Sequence, residues 1–307
     1  MIAISETLKM TQNVGLADRH LMREHRASTT PVLEKLYRGV THPLRLLPDF
    51  LIIGAQRGGT TSLYHYLQAQ LCLELTATKE LHFFDRRFHE GLAWYRAHFP
   101  TLLEKYFAQS FHRRAFLTGE ATPGYLFHPH APKRVADVLP HVKLIVLLRN
   151  PVDRAYSHYH HIVDLGYEHL SFEEAIHWEE ERIGEERKRM LADEGYESYS
   201  YEHFSYLSRG RYVEQLQVWM RLFPFEQFLI LKSEDFYADP VSILQQVLTF
   251  LEVPQKQRHL PLKDYAQHNH KTSSQMDAAL RTRLLEYFRS HNAALYNFLG
   301  VHFGWDT

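Results

Sequence analysis

The chain has 307 residues, 45% of them hydrophobic and 23% charged, which is enough for one large α/β domain with a proper core. Its formal net charge of −1 excludes a global basic field that would attract nucleic acid or an anionic membrane, so any anion site must be local. The single cysteine, Cys72, excludes an intrachain disulfide framework and a cysteine-rich metal site, and it fits a reducing compartment.

Residues 1–48 are polar and weakly periodic, and two prolines punctuate their end in THPLRLLPDF. We interpret them as a helical N-terminal extension that precedes a single domain spanning residues 49–307. The first twenty residues lack the sustained apolar stretch of a secretory signal, and no apolar run approaches the roughly 18–20 residues that span a bilayer. We therefore expect a protein with no membrane span and a cytoplasmic location.

The stretch FLIIGAQRGGTTSLYHYL, residues 50–67, reads as a buried strand, a glycine turn and a helix. Gly58 and Gly59 would let backbone amides approach an anion at the N-terminus of the helix. An ordinary strand-to-helix turn is the alternative interpretation. The apolar strand before the turn and the three hydroxyl residues after it favour phosphate binding. Arg57 precedes the glycine pair, and the lysine of a nucleotide triphosphatase loop is absent.

The remaining elements alternate along the chain. Apolar runs predict further strands at 73–76, 115–120, 142–150 and 228–236. Helical patterns cover 60–70, 171–194, 240–251 and the C-terminal region up to Gly300. This alternation predicts an α/β fold, a P-loop-like three-layer arrangement in which helices cover both faces of a central parallel sheet. Ligands of such a sheet bind at the carboxyl ends of its strands.

A second motif follows the strand LIVLL, which ends in Arg149 where a triphosphatase would carry a magnesium-binding acid. A nucleotide with separate 5′ and 3′ phosphate groups suits these residues better than a magnesium triphosphate. The loop amides with Thr60, Thr61 and Ser62 would hold its 5′ end. Arg149 would pair with a 3′-phosphate through two donors, and Ser157, two helical turns further on, would add a hydroxyl.

Both motifs resemble those of the sulfotransferases that use 3′-phosphoadenosine 5′-phosphosulfate. FLIIGAQRGGTTSLYHYL resembles their 5′-phosphosulfate loop, and LIVLLRNPVDRAYSHY resembles their 3′-phosphate motif. The segments TKELHFFD (78–85) and GEATPGYL (119–126) are similar to the heparan-sulfate-type branch, including its bacterial members. The resemblance extends from about Asp49 to Trp305. It implies an enzyme that moves a sulfuryl group, without a metal, from this donor to a hydroxyl or amine of a saccharide or another small or carrier-bound acceptor.

The resemblance also implies roles for single residues. Arg57 occupies the position of the usual lysine, and because arginine does not donate a proton as an acid we assign it to electrostatic stabilisation only. Lys79 would share the charge on the transferred or leaving group. Glu80 matches the general base of the branch, with His82 as the rival base or as an orienting residue. A loop ion pair between Lys79 and Glu80 with no catalytic role is the structural alternative.

Four further positions are expected to contact the donor, the acceptor or the catalytic residues. Lys271 and Thr272, in HNHKTSS, match the segment that closes over the 3′-phosphate and adenine, although the glycine common after that lysine is missing. Asp85 is expected to make a structural or acceptor contact. Glu120 is expected to orient Lys79 or to touch the acceptor.

Other functional readings stay open at the level of sequence. A P-loop kinase or nucleotide triphosphatase is the alternative enzyme, and a nucleotide-binding protein without turnover is the non-enzymatic one. Sulfation of a lipid, or of a polyketide hydroxyl on an acyl carrier protein, is the alternative to a saccharide acceptor. The 22 histidines form no metal-binding pattern, so we predict no metal site. The identity of the acceptor and the oligomeric state are not determined by the sequence.

Overall fold

Five parallel strands form the central sheet of the part of the chain that the structure describes, residues 31–258 and 276–305 of a computed structural model. The strand order in the sheet is β2-β3-β1-β4-β5. The strands are β1 Phe50–Gly54, β2 Leu73–Leu75, β3 Leu117–Ala121, β4 Lys143–Leu148 and β5 Phe228–Lys232.

Helices precede, connect and follow these strands. Those before β4 are α1 Pro31–Thr41, α2 Thr60–Gln68, α3 Gly91–Arg96, α4 Leu102–Ser110 and α5 Ala131–Val138. Those between β4 and β5 are α6 Pro151–Asp164, α7 Phe172–His177, α8 Glu179–Ala192, α9 Tyr199–Phe204 and α10 Tyr212–Met220. The last three are α11 Ser233–Ala238, α12 Pro240–Phe250 and α13 Ala278–Leu299.

The central strands are covered on both faces, as their uninterrupted apolar sequences predict. Along β1, Leu51 and Ile53 belong to one hydrophobic cluster, and Phe50 and Ile52 belong to another. The first cluster includes side chains of α10 and the second includes side chains of α2 and α12. A third cluster lies among α6, α7, α8, α9 and α13. The predicted three-layer α/β fold is therefore confirmed.

A crevice for ligands is set by the strand order. β1 pairs with β3 on one side and with β4 on the other, and all these pairings are parallel. The chain that leaves β1 turns towards the β3 side, whereas the chain that leaves β4 reaches β5 on the opposite side. Connections that diverge in this way leave an opening at the carboxyl ends of the two strands. The loops after β1 and β4, which carry the two predicted phosphate motifs, meet there.

Two element boundaries differ from the sequence prediction. The segment 171–194 forms two helices, α7 and α8, because the chain breaks at Trp178. The break lets the next residue, Glu179, turn inward, where its carboxylate accepts the backbone N–H groups of Leu207 and Ser208 at 2.6 and 2.8 Å. The last strand stops at Lys232, since α11 begins at Ser233. No helix within residues 31–258 or 276–305 has both the length and the apolar character needed to cross a bilayer.

Candidate active site

The loop between β1 and α2 lies directly against the end of β4. Gly58 is required there, because a Cβ atom at this position would lie 2.5 Å from the carbonyl oxygen of Leu147. Gly59 has a φ of 94°, which glycine adopts without strain, and it is the N-cap residue of α2. With no side chain capping the helix, the first-turn N–H groups of α2 are left for an anion.

The three hydroxyl residues after the glycines form the first turn of α2. Thr60 and Ser62 are buried and Thr61 is partly buried. The predicted phosphate-binding hydroxyls therefore lie at the helix N-terminus, where the positive end of the helix dipole adds to the uncapped amides.

The second predicted phosphate residue, Arg149, follows β4 and reaches this loop. Its guanidinium donates to the backbone carbonyl of Arg57 at 3.2 Å. The side chain of Arg57 in turn donates from Nε to the hydroxyl of Ser157, on α6, at 3.1 Å. Both motifs identified in the sequence thus meet in one place. Burial, and after it the positive charge of Arg149, lowers the pKa of Arg57. Two guanidinium groups held this close attract an anion.

Three residues that sequence reasoning missed support this arrangement. The hydroxyl of Ser233, at the start of α11, donates to the Gly58 carbonyl at 2.7 Å. The Tyr212 hydroxyl donates to the carbonyl of Arg149 at 2.8 Å. Tyr237 lies beside Gly59, where an added Cβ would be 3.0 Å from the tyrosine hydroxyl. The position of Ser233 just after β5 was the available signal, because the carboxyl ends of parallel strands share one edge of the sheet.

The segment after β2 holds the candidate catalytic residues. Lys79 and Glu80 form a close ion pair. His82 Nε2 lies 3.6 Å from Glu80 Oε2, and its Nδ1 lies 2.9 Å from a carboxylate oxygen of Asp85, which is buried. Arg86 Nη2 lies 2.6 Å from His82 Nε2. This hydrogen bond to His82 is a structural contact of the kind expected for Asp85, and the alternative contact with an acceptor stays a prediction.

Charges in this segment shift the pKa values of two candidate bases. Burial would raise the pKa of Glu80, but the hydrogen bond from His82 and the charge of Lys79 outweigh it and lower this pKa to about 2. Burial would lower the pKa of His82, but the carboxylates of Asp85 and Glu80 outweigh it and raise this pKa to about 9. The positive charge of Arg86, whose Nη2 lies 2.6 Å from His82 Nε2, opposes that rise.

Glu120 lies at the end of β3 and is fully buried. Its carboxylate accepts hydrogen bonds from the hydroxyls of Tyr95 at 2.7 Å, Tyr125 at 3.1 Å and Thr122 at 3.1 Å. Tyr125 also accepts the N–H of Phe83 at 3.0 Å, so the network holds the segment that follows Glu80 and His82. Burial raises the pKa of Glu120 to about 7. The predicted contact with Lys79 or with an acceptor is wrong, because these three hydroxyls enclose the carboxylate.

A cleft of about 190 Å³ opens beside the candidate catalytic residues. Gln56, from the loop after β1, and Glu80 both line it, so the phosphate loop and the candidate base face one space. The opposite wall comes from the chain around α9, including Tyr201 and Glu202. α9 and the residues just before it therefore line the cleft.

Three residues of this site have backbone conformations that only glycine adopts freely. Arg57, Glu80 and His82 have φ values of 69°, 62° and 55°. Such conformations cost about 1–3 kcal/mol each and persist where surrounding contacts impose them. All three are residues to which the sequence assigned chemistry.

Two of the predicted residues cannot be placed. Lys271 and Thr272 lie outside the described residues. Among the residues that the structure does describe, no group of three or more histidine, cysteine, aspartate or glutamate side chains is arranged to hold a metal ion.

Comparison with known proteins agrees with this geometry. The family model described as a sulfotransferase domain matches residues 47–292. The chain is similar to the membrane-associated sulfotransferase kil1 of Dictyostelium discoideum, with 27% identity over 86% of this chain and 68% of that protein. It is also similar to human heparan sulfate glucosamine 3-O-sulfotransferase 3B1, with 29% identity over 85% of this chain but only 65% of that protein.

A solved structure extends the comparison to the fold. The crystal structure of a sulfotransferase from Alicyclobacillus acidocaldarius superposes with a TM-score of 0.63 at 30% identity, covering 85% of this chain and 100% of the other. The range that the family model matches includes Arg57, Arg149 and Ser157, which lie together in this chain. The chain belongs to the sulfotransferase family, whose members are sulfuryl-transferring enzymes.

Proposed function

We propose that this protein transfers a sulfuryl group from 3′-phosphoadenosine 5′-phosphosulfate to a hydroxyl or amine of a saccharide. The observation that carries the proposal is the pair of hydrogen bonds that joins the two phosphate motifs, from Arg149 to the Arg57 carbonyl and from Arg57 to Ser157. Membership of the sulfotransferase family supports the reaction type. The saccharide comes from the names of relatives that act on heparan sulfate glucosamine.

The donor would be held by its two anionic ends. The uncapped amides of α2, with Thr60, Thr61 and Ser62, would bind the 5′-phosphosulfate. Arg149 and Ser157 would bind the 3′-phosphate. Burial, and after it the charge of Arg149, lowers the pKa of Arg57, and an anion at this position would offset both effects, which favours binding of the nucleotide.

The transfer forms one bond and breaks one. The acceptor oxygen or nitrogen attacks sulfur, the bond between sulfur and the bridging phosphate oxygen breaks, and 3′,5′-adenosine bisphosphate leaves. Arg57 stabilises the negative charge that develops on the bridging oxygen. Glu80 takes the acceptor proton. The electron pair of the broken bond stays on the leaving phosphate, so no redox partner and no proton donor is required.

Lys79 would control when Glu80 can act as a base, because their ion pair lowers the pKa of Glu80. A carboxylate with a pKa of about 2 is a weak base, and its ion pair with Lys79 is one reason for the low value. An anionic sulfuryl group nearby competes for the ammonium of Lys79, and the pKa of Glu80 then rises towards its ordinary value. His82, with a pKa raised to about 9, is protonated at neutral pH and is therefore the poorer candidate base.

Three earlier predictions remain without further support. Sulfation of a carrier-bound polyketide or of a lipid, with an acyl carrier protein as partner, stays an alternative for the acceptor. The cytoplasmic location and the division into residues 1–48 and 49–307 stay predictions from the sequence.

The donor half of the proposal is tested by thermal unfolding with 3′,5′-adenosine bisphosphate. We expect a rise in Tm for the native protein and a much smaller one for Arg149→Ala, because a hydrogen bond to a charged group contributes about 1.5–3 kcal/mol, or roughly 10- to 150-fold in affinity. Arg283→Ala is the matched control, since Arg283 is exposed and pairs with Glu173. Magnesium-dependent ATP turnover with no response to the bisphosphate would instead support a kinase.

The transfer half is tested with radiolabelled donor and saccharide acceptors. Glu80→Gln should lower kcat by about 10²–10⁴, the usual contribution of general base catalysis, while the bisphosphate still raises Tm. Glu252→Gln is the control. Glu252 is exposed and pairs with Lys143, the first residue of β4. Equal transfer rates for Glu80→Gln and the native protein would show that Glu80 is not the base.

A further inference from the structure

Arg209 is a buried guanidinium that makes no ion pair with any described residue. It lines the cleft together with Glu80 and is only 7% exposed. Its Nη2 donates to the backbone carbonyl of Glu202 at 3.0 Å, but no described residue accepts a hydrogen bond from its Nε or Nη1. Burial lowers its pKa, yet an arginine stays charged at neutral pH. A buried charge of this kind is costly unless a ligand compensates for it.

The other charged side chains that line the cleft are already balanced. Within the described residues they form three close pairs, Arg86 with Glu202, Glu80 with Lys79, and His82 with Asp85. His128 stays neutral because burial lowers its pKa to about 3. Glu197 lies exposed at the rim, where solvent screens its charge. The charge left unbalanced inside the cleft is therefore the positive charge of Arg209.

The protein holds this guanidinium in a fixed position. The guanidinium carbon lies over the ring of Phe127, 4.6 Å from its centroid. The backbone is also held, because the buried carboxylate of Glu179 accepts the N–H group of Ser208 at 2.8 Å and the Gln215 amide donates to the carbonyl of Arg209 at 3.0 Å. A donor fixed in this way loses little conformational freedom when a ligand binds.

A carboxylate or a sulfate group is the ligand that matches such a donor. The N–H groups of a guanidinium pair with two oxygens of an oxyanion at once. A hydroxyl supplies a hydrogen bond but no charge, so a neutral ligand would leave the charge of Arg209 uncompensated. The cleft of about 190 Å³ is smaller than the roughly 300–1,000 Å³ of typical ligand pockets. The anion would therefore lie on the sugar whose hydroxyl faces Glu80, or on the next one.

We propose that Arg209 binds a carboxylate or sulfate group of the acceptor and so selects anionic over neutral saccharides. This inference rests on the proposed sulfuryl transfer and adds a residue that determines which acceptors are used. The net charge of −1 supplies no general attraction for an anionic saccharide, so the selection depends on local contacts.

Three N-acetylglucosamine hexamers that differ only at carbon 6 test the proposal. The first keeps its hydroxymethyl groups, the second carries carboxylates there, and the third carries sulfates. Binding of each is measured calorimetrically with saturating 3′,5′-adenosine bisphosphate, so the result does not depend on which hydroxyl reacts. We expect at least one anionic hexamer to bind ten times more tightly than the neutral one, as a hydrogen bond to a charged group allows. The tighter of the two identifies the anion.

Variants then test whether Arg209 is responsible. Arg209→Met removes the charge and keeps an apolar side chain over Phe127, so the preference should fall below threefold while the neutral hexamer binds as before. Arg209→Lys keeps the charge but loses the paired donors, so it should retain part of the preference. Arg211→Met is the matched control, because Arg211 donates to the Tyr287 hydroxyl at 2.9 Å and does not line the cleft. It should bind all three hexamers as the native protein does.

Far-ultraviolet circular dichroism shows which variants are folded. If Arg209→Met is not, Arg209→Lys decides the matter, and its preference should be at least threefold weaker than that of the native protein. Equal binding of the three hexamers, or binding of none, overturns the proposal, and so does a full preference in the folded variants. A folded Arg209→Met whose Tm no longer rises with the bisphosphate would assign Arg209 to the donor instead. The proposed function fails separately, if the bisphosphate raises no Tm in the native protein.

Discussion

Replacing Glu120 by glutamine tests how burial sets the charge of the network behind the catalytic segment. Glutamine has the shape of glutamic acid and, like the protonated acid, both donates and accepts. Burial raises the pKa of Glu120 from an ordinary 4.5 to about 7, and at about 1.4 kcal/mol per pKa unit this corresponds to about 3 kcal/mol of stability.

The sign of the effect follows from proton binding. Below pH 4.5 the carboxyl is protonated in both the folded and the unfolded chain. Between pH 4.5 and 7 the unfolded chain releases a proton that the folded protein keeps, so the free energy of unfolding falls as the pH rises. Above pH 7 the loss is complete, at about 3 kcal/mol from this group. Glutamine does not titrate, so Glu120→Gln is spared this loss.

The assay is urea unfolding of the two proteins at pH 4.5 and pH 8, followed by both tryptophan fluorescence and far-ultraviolet circular dichroism. We compare the free energy of unfolding of Glu120→Gln with that of the native protein at each pH. The variant's value minus the native value should be about 3 kcal/mol larger at pH 8 than at pH 4.5. Glu226→Gln, at an exposed glutamate outside this network, should show no such change. A difference that is the same at both pH values would refute the reasoning.

Three further changes have expected outcomes. Gly58→Ala places a Cβ 2.5 Å from the Leu147 carbonyl oxygen, so circular dichroism should show a Tm several degrees lower, and an unchanged Tm would contradict the close packing. His82→Asn removes the hydrogen bond that does most to lower the pKa of Glu80, so the acid limb of log kcat/KM against pH, which reports the free enzyme, should move upward from about pH 2, and an unmoved limb would remove His82 from this role. Arg154→Met replaces a fully buried guanidinium that has two unpaired nitrogens, so the Tm should stay equal or rise, whereas a large fall would mean that the charge has a partner.

The parts of this molecule that the sequence predicts are those governed by local pattern. Continuous apolar runs marked β1, β4 and β5, because a strand covered on both faces cannot alternate with polar residues, whereas β2 and β3 were predicted from shorter runs that contain polar residues. The meeting of Arg57 with Arg149 followed from strand topology, since neighbouring parallel strands end at one edge. Contacts of this kind need only the order of elements.

The parts that the sequence does not predict depend on contacts between distant residues. The pair of Arg86 with Glu202 joins positions 116 residues apart, and no local feature marks it. Glu120 reads as a polar strand end, yet the hydroxyl of Tyr95, 25 residues away, joins those of Thr122 and Tyr125 around its carboxylate. The break at Trp178 also has a distant cause, because the amides that Glu179 satisfies lie beyond α9.

The left-handed conformations of Arg57, Glu80 and His82 have a consequence for engineering. At each position glycine would relieve backbone strain of about 1 kcal/mol or more, while removing the side chain that the reaction needs. A laboratory selection for heat resistance alone would therefore favour replacing these three residues and would yield durable proteins that transfer nothing. Any such library needs a screen for product formation at every round, or these three codons must be held fixed.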